Sequence, residues 1–251
     1  MRLLRPTITP LFRILLAILP MSGFCGGAPT GLQGAALASR VRDEHFVGAE
    51  DRETVVSTEL FELRVADAGD RKVVRTVAHS ALEWAIAKSG LRLHSLPLIE
   101  VYPTTATFRD VTGEPGWVAA STHHQRMRLQ PLSVLREKLA AVVRHEFLHM
   151  LVEDNAEPHT PLWFREGLVV YWGEDSDPAA SVTMSGKDID QAISSRHSET
   201  EMREAYAQAA ALVREIELQK GHSVLIDWLR GGLPQDARGG LILPGAHVVA
   251  H

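Results

Sequence analysis

The chain has 251 residues, a net charge of −5, and a composition that is 45% hydrophobic and 23% charged. This length can bury a core in one domain or two small ones, and the composition excludes a collagenous, coiled-coil or disordered chain. No basic block interrupts the acidic balance, so nucleic acid is not expected as a partner.

Residues 1–38 have the order of an export signal. Arg2, Arg5 and Arg13 precede or enter the apolar run LFRILLAILP, and small residues follow. The run is too short to span a bilayer comfortably. Cleavage is expected near Gly27 or after the ALA at 36–38, which places the protein in the periplasm or outside the cell. Membrane contact is expected only through an uncleaved or lipidated N-terminal segment. Cys25 is the only cysteine. Lipid attachment there is disfavoured by Phe24, which stands where a small residue is expected. Cleavage beyond Cys25 leaves no disulfide.

Residues 39–56 read as a polar lead-in and 57–232 as one domain. STELFELRVAD (57–67) alternates as a strand. Asp70 is a candidate cap for a helix running to Lys88 and closing on Gly90. PLIEVYP (97–103) reads as a second strand, and TATFRDVTG (105–113) as a strand or loop turning at Gly113. GWVAASTHHQRMRLQP (116–131) reads as a strand, a polar turn at His123–Gln125 and a return strand. A long helix is expected from Ser133, its N-cap, through LREKLAAVVRHEFLHMLVED. A second helix has Thr160 as N-cap candidate, Pro161 in the first position and Gly173 at its end. Residues 174–198 read as a loop with a short helix around Ile189. Helices over 201–221 and 222–232 follow, then an irregular tail (233–251). The fold class is therefore α+β, with a mixed N-terminal sheet followed by a helical half.

The helical half carries HEFLH (145–149). On a helix, residues four apart share a face, so His145 and His149 can offer both imidazoles to one ion. Zinc accepts imidazole nitrogen and needs no redox chemistry. Glu146 can reach a water at the metal without binding the metal, and can act as its general base. A catalytic zinc also needs a third protein ligand. The candidates are Glu153, Asp154, His159 and Glu166. A third histidine of the metzincin kind is excluded, because Val152 and Asn155 stand where that pattern needs Gly and His. Glu153 and Asp154 share a helix with the histidines, too close to reach the far side of the ion. Glu166 is better placed on the WFREG helix, where Gly167 would let backbones approach. Tyr206 is a candidate oxyanion donor or a packed aromatic. GWVAAS is either an edge strand able to pair with an extended peptide or an internal strand. His123 and His124 read as a polar turn. His79, His94 and His222 have no spacing partner.

HEFLH, PLWFREGLVVYW and AYAQAAALVREIELQKG together resemble the peptidase MA-like family of gluzincins, over roughly residues 98–230. GWVAAS…LQPLSVL is similar to that family's strand leading into the active-site helix. The resemblance implies a small thermolysin-like catalytic domain. In it His145, His149 and Glu166 would bind one zinc ion and Glu146 would be the catalytic base, making the chain a zinc metallopeptidase acting on peptide or protein substrates. It has no GxMEN-type motif, so aminopeptidase activity is not implied. Two other readings remain open: a zinc-binding scaffold module without turnover, and a zinc amidase acting on cell-wall peptide.

Overall fold

The computed structural model describes residues 55–174, 182–195 and 199–238. The expected export segment, Cys25, most of the lead-in and residues 239–251 lie outside the described residues. Five strands form one sheet: β1 (Val55–Ser57), β2 (Glu62–Val65), β3 (Leu98–Val101), β4 (Ala120–His123) and β5 (Arg126–Leu129). Their order is β1-β2-β3-β5-β4. The inner three strands are parallel, while β1 and β4 run antiparallel to their neighbours at the two edges.

The helices are α1 (Ala68–Ser89), α2 (Thr105–Thr112), α3 (Leu132–Leu135), α4 (Leu139–Asn155), α5 (Leu162–Gly173), α6 (Gly186–Ser195), α7 (Glu199–Lys220), α8 (His222–Gly231) and α9 (Gln235–Arg238). The α+β class and the mixed sheet are as the sequence indicates. Among the described residues no helix is long and apolar enough to cross a membrane.

Several local expectations are corrected. The single strand expected over 57–67 is a hairpin. The Thr58 hydroxyl accepts from the Leu60 and Phe61 amides and donates to the Phe61 carbonyl, which turns the chain between β1 and β2. The cap of α1 is Asp67, whose carboxylate accepts from the Asp70 amide; Gly90 closes the helix at φ 71°. Residues 105–112 are helical rather than extended. The Thr104 hydroxyl caps the start and Gly113 at φ 70° ends it, and these local signals outweigh the β-branched composition. The helix expected from Ser133 is broken at Arg136, where φ is 43°. Ser133 is not its cap, since α3 begins after Pro131 with no side-chain cap. The tail opens with α9, and Leu233 and Ala237 join the core.

Leu63, Val65, Ile99, Val101, Met127 and Leu129 turn one face of the sheet inward. There they join Val74, Ala78, Leu82 and Ala85 of α1 in one core cluster. Each such side chain is worth about 1.5–3 kcal/mol buried, so a one-residue slip of a strand would cost too much to compete. The opposite face carries Arg64, Glu100, Arg126 and Arg128.

Helix α4 packs against α1, α5 and β4. From His145 to Val152 every residue is buried. A helix apolar on all sides belongs in an interior, and HEFLH is carried there with it.

Candidate metal centre

His145 and His149 lie one turn apart on α4, and their Nε2 atoms are 3.1 Å apart. The Glu166 carboxylate reaches in from α5, its Oε2 3.9 Å from His149 Nε2. All three side chains, and that of Glu146, are buried. Tetrahedral zinc with imidazole and carboxylate donors spaces its ligand atoms by about 3.3 Å. The histidine pair matches that spacing and the carboxylate stands slightly wide of it. Among the described residues no group of three or more His, Cys, Asp or Glu side chains converges closely enough to hold a metal ion as placed. The wide separation of Glu166 from His149 is consistent with that.

The donor chemistry fits a cation. Burial, then the nearby His145 and Arg165 charges, push the pKa of His149 well below the ordinary range. The neutral imidazole so favoured is the metal-binding form. Burial raises Glu166 to about 7, against the pull of His145. Burial also raises Glu146, with His145 and Thr122 opposing. Two carboxylates and two imidazoles are thus buried together, where isolated anions are costly. Glu146 Oε2 makes no hydrogen bond. The Thr122 hydroxyl on β4 favours the Glu146 anion by proximity but does not meet bonding geometry. A dication would answer all these groups at once.

Three elements aim the α5 carboxylate. Gly167 is at the α5–α7 contact, where a Cβ would meet the Ala209 carbonyl oxygen at 2.6 Å and Val213 Cγ2 at 2.8 Å. The close backbone approach expected at Gly167 is therefore made to α7. The start of α5 is not capped by Thr160, whose buried hydroxyl has no hydrogen-bond partner. The helix N-cap is Pro161, and Asp190 of α6 accepts from the Trp163 amide instead. A cap supplied from 27 residues away leaves no signature in local sequence. On the α4 side, Arg165 Nη1 donates to both Glu153 oxygens at 2.8 and 3.2 Å.

The other candidates lie elsewhere. Glu153 is taken by Arg165. Asp154 accepts from the His94 amide and faces its Nδ1 at 2.9 Å. His159 is mostly exposed and pairs with Glu157. His79 pairs with Glu83 and His222 with Glu217. Tyr206 is half-buried on α7, three residues before Ala209, and so lies one turn from the contact that seats Gly167. His123 and His124 form the hairpin tip, their rings 4.1 Å apart. Strand β4 is the sheet edge, and Thr122 on it reaches Glu146. No local motif marks Thr122 or Asp190 as a neighbour of the site. Only the opposite charges of Glu153 and Arg165, each within four residues of a proposed ligand, offered a hint.

No protein-family model matches the chain, and no curated protein is significantly similar to it in sequence.

Proposed function

We propose that this protein is an exported zinc metallopeptidase of the gluzincin kind, with a small thermolysin-like domain. The observation that carries the reading is the burial of His145, His149 and Glu166 side by side, with the Glu146 carboxylate next to them and one of its oxygens unbonded. His145, His149 and Glu166 would hold the metal. When bound, zinc supplies a Lewis acid that acidifies a water and polarises the scissile carbonyl.

The chain's own residues do the rest. Glu146 takes a proton from the attacking water at its free oxygen as the C–O bond forms. Burial raises its proton affinity toward that task. The same proton passes to the amide nitrogen as the C–N bond breaks, leaving a free acid and a free amine. An extended peptide pairing along edge strand β4 would have its carbonyl set beside Glu146, which Thr122 of that strand approaches. Tyr206 is the candidate donor to the developing oxyanion. The Arg-rich start and apolar run before residue 38 support export.

The test is zinc content and peptide hydrolysis of the purified protein beside Glu146→Gln and Glu166→Ala. The expected result is about one zinc per chain in the parent and in Glu146→Gln, loss of zinc in Glu166→Ala, and hydrolysis in the parent alone. A parent that stays metal-free in added zinc overturns the reading. Zinc without hydrolysis of peptides leaves the scaffold module, or the amidase if cell-wall fragments are cleaved.

A further inference from the structure

Arg165 and Glu153 form a contact that the chemistry above does not use. Both side chains are mostly enclosed, at 21% and 27% exposure. The guanidinium nitrogen is shared between both carboxylate oxygens. Position matters more than strength here. Glu153 is one turn beyond His149 on α4, and Arg165 directly precedes Glu166 on α5. The pair therefore joins the backbone segment bearing one proposed donor to the segment bearing another. The donors themselves stand 3.9 Å apart, about 0.6 Å wider than a zinc site needs. A slide of α5 along α4 would change that separation, and the pair resists it one turn from His149 and one residue from Glu166. Asp190 also holds the first turn of α5, through the Trp163 amide, with the Arg165 charge close enough to favour its anion.

We infer that the Arg165–Glu153 pair is a positioning element for the metal centre, which keeps the Glu166 carboxylate within reach of the ion that His145 and His149 hold. The inference rests on the zinc reading and adds two residues to it. Neither touches the ion or the reacting atoms. Removal of either partner lets α5 drift, and zinc is bound less tightly while the two histidines remain in place.

The experiment is zinc titration against a competing chelator on the parent, Arg165→Gln, Glu153→Gln, the double variant and Arg165→Lys, with thermal melting of each metal-free protein. Loss of an outer-shell partner is expected to weaken zinc by about tenfold to a hundredfold in each single variant. The double variant should lose no more than the worse single, because both remove one contact. Arg165→Lys should recover part of the affinity, since one donor nitrogen makes the contact. Metal-free melting temperatures should fall modestly in the single variants, without following the order of the affinity losses. Zinc affinity in Arg165→Gln within about twofold of a zinc-binding parent overturns the positioning role and leaves the zinc reading intact. Melting losses that parallel the affinity losses, with no recovery in Arg165→Lys, assign the pair to general scaffolding and overturn it as well. A parent that binds no zinc removes the zinc reading, and the pair's role with it.

Discussion

Glu100 is buried in one part of the protein and Glu146 and Glu166 in another, and their surroundings differ. Glu100 is on the outer face of the sheet with guanidinium groups on three sides. Arg64 bonds one of its oxygens, while Arg126 and Arg128 stand 3.5 Å from the other. Glu146 and Glu166 instead share their pocket with two imidazoles, and the nearest guanidinium, Arg165, is bonded to Glu153. Glu100 is a structural charge answered from within the chain. In the α4–α5 pocket burial pushes both carboxyls toward the neutral acid, with His145 opposing, an arrangement that makes sense when a bound cation supplies the balance. Buried carboxylates therefore do not mark a site by themselves; the sign of their neighbours does.

The largest effect should come from Glu146→Gln. Peptide hydrolysis should fall by about 10²–10⁴-fold, the usual share of a general base, with zinc content unchanged. Retained turnover in a zinc-loaded variant would remove Glu146 from the mechanism.

The second prediction concerns pH. The folded-state pKa of Glu166 is raised from 4.5 to about 7 by burial. A raised carboxyl contributes stability that is full below the unfolded value and lost as pH rises through the folded one. The metal-free protein should therefore lose on the order of 3 kcal/mol between about pH 4.5 and 7. Glu166→Gln should flatten that window in denaturant melts, and added zinc should restore the parent at pH 7. A slope that is unchanged in the variant would contradict it.

Glu100→Gln tests the other half of the contrast. It leaves three guanidiniums facing a neutral amide and should cost about 1–3 kcal/mol, because its partners are only partly enclosed. Zinc affinity and hydrolysis should be unaffected. A large loss of either would mean that the two clusters communicate.

The smallest effect is expected from Asp190→Ala. It deletes the cap on the Trp163 amide and should lower stability by about 1 kcal/mol, read from the denaturation midpoint. No change at all would mean that solvent caps α5 equally well.

What could be read from sequence divides along the range of the interactions involved. HEFLH and its helix follow from i, i+4 spacing, and β4 and β5 from alternation around a polar turn. Gly90 and the β-class of 97–103 are likewise local. The errors came where two local signals competed. Thr104 and Gly113 bracket a helix that the β-branched residues between them disguise. Arg136 takes a positive φ without a glycine to announce it. What surrounds the site was legible only in part. Glu166 stood out through WFREG, but Thr122, Asp190 and the Glu153–Arg165 pair depend on how α4, α5, α6 and β4 pack. Those contacts join residues 12 to 27 apart and have no periodicity to reveal them.

Strand β4 has a consequence for handling the protein. It ends the sheet formed by the described residues, so one row of its amides and carbonyls is not used by the ladder. A row that can receive an extended peptide cannot tell that peptide from the same strand of another molecule. Ala120, Ser121 and Thr122 are nevertheless buried, and only His123 at the end of the strand is exposed. That shielding should keep concentrated preparations from pairing edge to edge, and self-association through β4 would contradict it.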